Sequence, residues 1–141
     1  SSMKSFRATT TINCSPEAIW SVHTDATSYS EWATGIHQLE GQIVAGAVLK
    51  LFTVSKPEQP MTLKVKEFVA SKTFTLSGGL PLGLFRGNRT FTLTPQSDGG
   101  TEFVVCEVFT GPLEPILGRM IPDLTPSFEE FAAGLKQKCE R

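Results

Sequence analysis

The sequence predicts an α+β domain in which a seven-stranded antiparallel sheet wraps around one long C-terminal helix. Three observations carry this prediction. Short strand-like segments separated by turn residues fill residues 36–110, with no helical pattern between them. An amphipathic helical pattern follows in the last part of the chain, and two short helical segments come after the first strand. The 141 residues are long enough to bury the core of one such domain.

The N-terminal part predicts a strand and two short helices. Residues 4–12 alternate loosely between apolar and polar side chains, which is typical of a strand. Ser15 is a suitable N-cap and Pro16 suits the first helical position, so a helix is expected to begin here. A second short helix is expected around Tyr29 and Trp32, packed under the sheet.

The middle of the chain predicts six further strands, bounded by glycine, proline and aspartate turns. Because these strands follow one another directly, they are expected to form an antiparallel meander. Their expected ranges are 36–44, 47–54, 61–69, 72–78, 85–94 and 101–110.

The C-terminal part changes to a helical period. Thr125 is expected to cap this helix, with Pro126 at its first position. Four apolar residues then recur at the spacing i, i+3, i+4 and i+7, which predicts a bulky stripe along one face. Since the sheet is the only large partner in the chain, this stripe is expected to lie on it; its members are Phe128, Phe131, Ala132 and Leu135.

Composition excludes several classes of function. The net charge of −1 and the pI near 6.1 give no basic footprint for nucleic acid, and the sequence has no polybasic run for anionic membranes. No apolar run is long enough to span a membrane, and the N-terminus lacks the blocks of a signal peptide. Three widely spaced cysteines favour reduced thiols and a cytoplasmic location. We expect one domain over residues 3–141, with Ser1 and Ser2 left from expression.

Strand parity brings two opposite charges together. The apolar faces of strands 85–94 and 101–110 match when Leu93 lies opposite Phe103 and Phe91 opposite Val105. The same register places Arg89 opposite Glu107 on the inward face. Three interpretations stay open: a structural ion pair, a polar handle for a ligand, or a register error that sends one partner to solvent.

Several segments resemble the SRPBCC (START-like) superfamily. They are 15–20 with Trp32 downstream, the glycine-rich stretch 78–87, residues 106–113 and residues 127–131. The sequence is most similar to the polyketide cyclase/dehydrase-like branch, and the resemblance covers nearly all of 3–141. It implies a helix-grip fold, in which the concave face of the sheet and the C-terminal helix enclose a ligand cavity.

Parity and the resemblance together give a set of candidate ligand-binding residues. For each apolar member, packing in an ordinary core is the alternative. The loop 78–87 is expected to be either a mobile flap over the cavity or a contact between the subunits of a homodimer. The candidates are Trp32, Leu51, Met61, Leu63, Phe74, Leu76, Phe85, Arg89, Phe91, Val105, Glu107, Phe109, Phe128 and Phe131.

The sequence carries no recognisable catalytic, metal or cofactor motif. His23 and His37 stand alone and are expected at the surface or at a helix end, and no cofactor is expected. Glu107 and Arg89 are the candidates for acid–base work in the cavity. The primary hypothesis is therefore a carrier or sensor that binds a small apolar, lipid-like or polyketide-like molecule. The alternatives are a cyclase or dehydratase acting on a polyketide-like substrate, and a protein-interaction module like the chaperone-ATPase activators of similar fold.

Overall fold

Seven strands and four α-helices follow one another in the described residues, 3–141; the expected expression remnant, Ser1 and Ser2, lies outside them. Short 3₁₀ turns at Ala26–Ser28, Pro81–Gly83 and Gly118–Met120 link some of these elements. The strands are β1 Ser5–Ile12, β2 Ile36–Glu40, β3 Val48–Thr53, β4 Met61–Val69, β5 Thr73–Gly79, β6 Arg86–Pro95 and β7 Thr101–Thr110. The helices are α1 Pro16–His23, α2 Tyr29–Trp32, α3 Glu114–Leu117 and α4 Thr125–Glu140.

All seven strands form one antiparallel sheet in the order β1-β7-β6-β5-β4-β3-β2. Strands β2 to β7 form the expected meander, and β1 extends the sheet on one side by pairing with β7. In that pair Ser5 lies opposite Val108 and Ile12 lies opposite Thr101. The predicted α+β helix-grip fold is confirmed.

Helix α4 lies on the concave face of the sheet and buries the predicted stripe, Phe128, Phe131, Ala132 and Leu135. The prediction that Thr125 caps this helix is wrong, because Thr125 is its first helical residue. The carboxylate of Asp123 instead accepts the backbone N–H of Thr125 at 3.0 Å. This hydrogen bond satisfies a donor that the helix itself leaves free, and it lowers the pKa of Asp123.

Gly134 lets α4 approach the end of α2 closely. A Cβ atom added at Gly134 would overlap the carbonyl oxygen of Trp32, a backbone atom that cannot rotate away. The residue therefore sets the distance between the two helices.

The strand predicted over 36–44 ends at Glu40, because Gly41 adopts a φ of +110° and turns the chain. An irregularity between Ile36 and Gln38 also shifts the pairing of β2 with β3. As a result, simple alternation does not describe which β2 side chains face inward.

Candidate functional site

A cavity of about 520 Å³ lies between the concave face of the sheet and α4. Its wall is mostly apolar, with Arg89, Glu107 and Thr62 among the polar exceptions. Met61, at its edge, has 52% of its surface exposed. The lining residues are Tyr29, Ile36, Leu39, Leu51, Met61, Thr62, Leu63, Leu76, Gly78, Gly79, Phe85, Gly87, Arg89, Phe91, Glu107, Phe109 and Phe131.

The cavity occupies only one end of the concave face. On β6, Arg89 and Phe91 line it, whereas Leu93 is buried in the core beyond. On β7, Glu107 lines it and Phe103 belongs to the core. The other end is filled by side chains from α1 and α2. We call this packed end of the domain the solid half, and the end that contains the cavity the hollow half.

His23 lies at the centre of the solid half. It is the last residue of α1, as one of the sequence-based expectations has it, but it is fully buried rather than at the surface. Its ring packs 4.5 Å from that of Phe91 and 4.8 Å from that of Phe74, measured between centroids. Further rings surround it, those of Tyr29, Trp32, Phe103 and Phe131.

The surroundings of His23 keep its imidazole neutral. Its Nε2 atom is buried and has no hydrogen-bond partner among the described residues. Burial among apolar rings disfavours the charged form and lowers the pKa of His23 to about 3. Burial disfavours the charged form of Tyr29 as well, which raises the pKa of its hydroxyl well above the usual value. The Tyr29 hydroxyl donates a hydrogen bond to the His23 carbonyl at 2.6 Å.

The hollow half contains the ion pair that strand parity predicts. Arg89 lies opposite Glu107 in the β6–β7 register, and Arg89 Nε donates to Glu107 Oε1 at 2.6 Å. The guanidinium of Arg89 also lies over the ring of Phe128, 4.5 Å from its centroid. The register, including the pairs Leu93–Phe103 and Phe91–Val105, is confirmed. The interpretation in which one charge faces solvent through a register error is therefore wrong.

Gly87 provides room for the second carboxylate oxygen of Glu107. A Cβ atom on Gly87 would lie 2.6 Å from Glu107 Oε2 and 2.9 Å from Phe109 Cε1. Arg89 contacts Oε1, and Oε2 accepts no hydrogen bond from the described residues. The arrangement therefore leaves a hydrogen-bond acceptor beside the cavity wall.

The structure places the candidate ligand-binding residues in two groups. One group lines the cavity: Leu51, Met61, Leu63, Leu76, Phe85, Arg89, Phe91, Glu107, Phe109 and Phe131. The other group does not line it and belongs to the solid half or the helix packing: Trp32, Phe74, Val105 and Phe128. Strand parity separates inward from outward residues, but it cannot tell which end of a strand faces packed side chains and which faces open space.

Several lining residues were not expected from the sequence. Ile36 and Leu39 both line the cavity although they are three residues apart, because the irregularity in β2 lies between them. Gly78 and Gly87 pair across β5 and β6, and they have no side chain from which a place in the cavity wall could be predicted. Tyr29 was expected under the sheet, and its length was the available signal that it could reach the cavity. The remaining additions are Thr62 and Gly79.

The stretch 78–87 forms the β5–β6 hairpin, in which Leu80 N donates to Phe85 O at 2.8 Å. Its tip is held beside the segment that follows β7, since Leu113 N donates to Leu84 O at 3.0 Å. Phe85 lines the cavity and stacks on Phe109 at 5.6 Å between ring centroids. The hairpin therefore forms part of the cavity edge. Whether it moves as a flap or contacts a second subunit stays a prediction.

The part of the chain that the structure describes holds no group of three side chains suited to bind a metal ion. Within the same residues, no helix is both long and apolar enough to cross a bilayer.

Residues 3–140 match the family model described as polyketide cyclase/dehydrase and lipid transport. The chain belongs to this family. The match covers nearly the whole sequence and confirms the resemblance to SRPBCC (START-like) proteins. Curated proteins provide no match to the chain.

Solved structures share the fold of this family member at low sequence identity. A protein from Mesorhizobium loti is 19% identical with a TM-score of 0.75, and 98% of each chain is covered. The Zhui aromatase/cyclase from Streptomyces sp. R1128 is 12% identical with a TM-score of 0.71, covering 99% of this chain and 95% of its own. A START superfamily protein from Mycobacterium smegmatis is 16% identical with a TM-score of 0.68, covering 99% and 98%.

Replacing Glu107 with glutamine tests the weight of the ion pair. We expect Glu107→Gln to lower the free energy of unfolding by about 1.5–3 kcal/mol, the range for a hydrogen bond to a charged group. The loss should stay below that of a fully buried pair, because the Arg89 side chain keeps 31% exposure. Urea unfolding measures the change, with Glu130→Gln on the exposed face of α4 as the control. Equal stability of the two variants would show that the pair contributes little.

Proposed function

We propose that this protein binds one small apolar molecule in the cavity between the sheet and α4, as a carrier or sensor. The observation that carries the proposal is the cavity itself, with about 520 Å³ of space and a mostly apolar wall. Volumes of this order hold ligands of drug or fatty-acid size, and an apolar wall favours apolar ligands.

The ion pair gives the proposed ligand a defined polar end. Arg89 and Glu107 neutralise each other, so the wall carries donors and acceptors without a net local charge. Glu107 Oε2 would accept a hydrogen bond from a ligand hydroxyl. The Arg89 guanidinium would donate one to a ligand carbonyl or carboxylate. We therefore expect a mostly apolar molecule with an oxygen-bearing group at one end.

Narrowing the cavity mouth should weaken binding. We expect Met61→Trp to reduce the affinity for the fluorescent fatty acid parinaric acid by about tenfold, the equivalent of about 1.4 kcal/mol, because the indole fills part of the entrance. Fluorescence titration measures the affinity. Val69→Trp is the matched control: Val69 lies on the same strand with 48% exposure against 52% for Met61, and it does not line the cavity.

Two results would contradict the proposal: no saturable uptake of parinaric acid by the native protein, or equal affinities for the two tryptophan variants.

Native mass spectrometry of the protein purified from its own host identifies the natural occupant of the cavity. A co-purifying molecule that remains unchanged during incubation supports a carrier or sensor. Its conversion to a new mass supports the alternative of a cyclase or dehydratase.

A cytoplasmic location of the protein stays a prediction from the cysteine content.

A further inference from the structure

Apolar side chains project outward from two neighbouring segments beside the cavity edge. Leu82 is 94% exposed at the tip of the β5–β6 hairpin. Ile116 and Met120, on α3 and the 3₁₀ turn after it, are 65% and 74% exposed. We call these three side chains the apolar rim. Exposed apolar side chains grouped in this way commonly mark a contact surface.

One backbone hydrogen bond and a close backbone contact hold together the two segments that carry the apolar rim. Leu113 N donates to Leu84 O at 3.0 Å, and this bond joins the segment after β7 to the hairpin. A Cβ atom on Gly111 would lie 2.6 Å from Gly83 O, so the backbones are in direct contact there. Leu82 has a φ of +61°, an uncommon conformation for leucine. A polar residue such as asparagine adopts this conformation more easily, so the backbone does not explain the choice of leucine.

Three cations lie on or beside the segments that carry the apolar rim. Arg119 is exposed and lies next to Met120 in the chain. Arg86 donates to Leu80 O at 3.3 Å, at the base of the hairpin. Lys4 donates through Nζ to Ile121 O at 3.0 Å. They come from separate parts of the chain, which is why the sequence has no polybasic run.

Two acidic groups near the apolar rim offset part of this charge, and the balance stays positive because there are three cations. Glu114 is buried, and its Oε2 accepts the backbone N–H of Lys4 at 3.4 Å. Asp123 is the exposed acid of this segment, and it accepts the backbone N–H of Thr125. Exposed apolar side chains framed by cations are complementary to a bilayer surface that carries anionic headgroups.

We propose that the apolar rim docks the protein on anionic membranes, with Leu82, Ile116 and Met120 inserted among the lipids. The adjoining Phe85 lines the cavity, so a docked protein would hold that edge of the cavity near the bilayer. This inference goes beyond ligand binding and is independent of it, because docking can be measured with an empty cavity.

Vesicle co-sedimentation of the native chain tests the inference. We expect partitioning onto vesicles of equal parts phosphatidylcholine and phosphatidylglycerol, and little onto phosphatidylcholine alone. The double variant Leu82→Asn, Met120→Gln should lose about tenfold in partitioning, because two apolar side chains no longer enter the lipid. Arg119→Gln should lose about fivefold, the effect of one cation near the surface. The control Val48→Thr, Val54→Gln removes two apolar side chains that are exposed elsewhere, on β3 and directly after it, and should stay within about twofold.

Absence of binding to the mixed vesicles would overturn the inference, as would equal losses in the double variant and its control. Sedimentation velocity without lipid separates a different occupant. If the native chain dimerises and the double variant is monomeric, with no vesicle binding, the apolar rim is an interface between two copies. Parinaric acid titration of the same variants distinguishes docking from ligand binding, because none of the substituted residues lines the cavity.

Discussion

Replacing Gly134 with alanine should destabilise the protein by about 1–3 kcal/mol, the usual cost of forcing an extra methyl group into a packed interface. Helix propensity alone predicts the opposite sign, since alanine is favoured over glycine by about 1 kcal/mol in a helix interior. The contact decides the sign, because the added methyl would overlap the carbonyl oxygen of Trp32. Helix α4 would have to move away from α2. Thermal and urea unfolding measure the loss.

The same displacement should reach the cavity. Phe131, one turn before Gly134, lines the cavity, and Phe128 lies against Arg89. We therefore expect weaker uptake of parinaric acid in Gly134→Ala together with the lower stability. Gln137→Ala, at an exposed position of α4, provides the control and should leave both quantities nearly unchanged. A Gly134→Ala protein as stable as the native one would mean that the close approach of the helices is not needed.

Acidification should destabilise the protein through His23, and the effect begins above the pH range in which the carboxyl groups titrate. The pKa of His23 is about 3 in the folded state, against 6.5 for the unperturbed side chain. Between these values the unfolded chain binds a proton that the folded chain excludes, so stability is complete above pH 6.5 and falls as the pH decreases toward 3. The slope of the free energy of unfolding should approach about 1.4 kcal/mol per pH unit.

His23→Leu should remove this slope. Leucine is close to histidine in size and carries no polar atom, so the variant also eliminates the unpaired Nε2. We expect its stability at neutral pH to equal or exceed that of the native protein. Urea unfolding between about pH 6.5 and pH 5 measures the effect before the carboxyl groups titrate. His37→Gln, at an exposed position on β2, should keep the full slope. A slope unchanged in His23→Leu would assign the proton uptake to another group.

The sequence was sufficient for the fold because its signals are local and agree with one another. Turn residues delimit the strands, and the spacing of Phe128, Phe131 and Leu135 identifies α4. Matching apolar faces was enough to set the β6–β7 register and hence the pairing of Arg89 with Glu107. Where a local signal is broken, as between Ile36 and Gln38, alternation does not identify the inward residues, and the lining residues Ile36 and Leu39 were not among the candidates.

The extent of the cavity could not be read from the sequence, because it depends on what packs against the sheet. Phe74 and Leu76 share a face of β5, yet Phe74 meets His23 and Leu76 meets open space. The contributions of Gly87 and Gly134 were also hidden, since a glycine matters there for the atoms it lacks. Such contacts between distant segments exist only once the chain has folded.

The pairing of β1 with β7 has a consequence for synthesis on the ribosome. The partner of Ile12 is Thr101, and Cys14 donates its thiol hydrogen to the Cys139 carbonyl. The first residues of the domain can therefore form their contacts only when the last ones are present. A nascent chain that has emerged only as far as β6 has an unpaired first strand and lacks the helix that covers the apolar face. Contacts between such distant positions form slowly, because the long loop must close before they can contribute. The domain therefore completes its folding only after α4 has emerged from the ribosome.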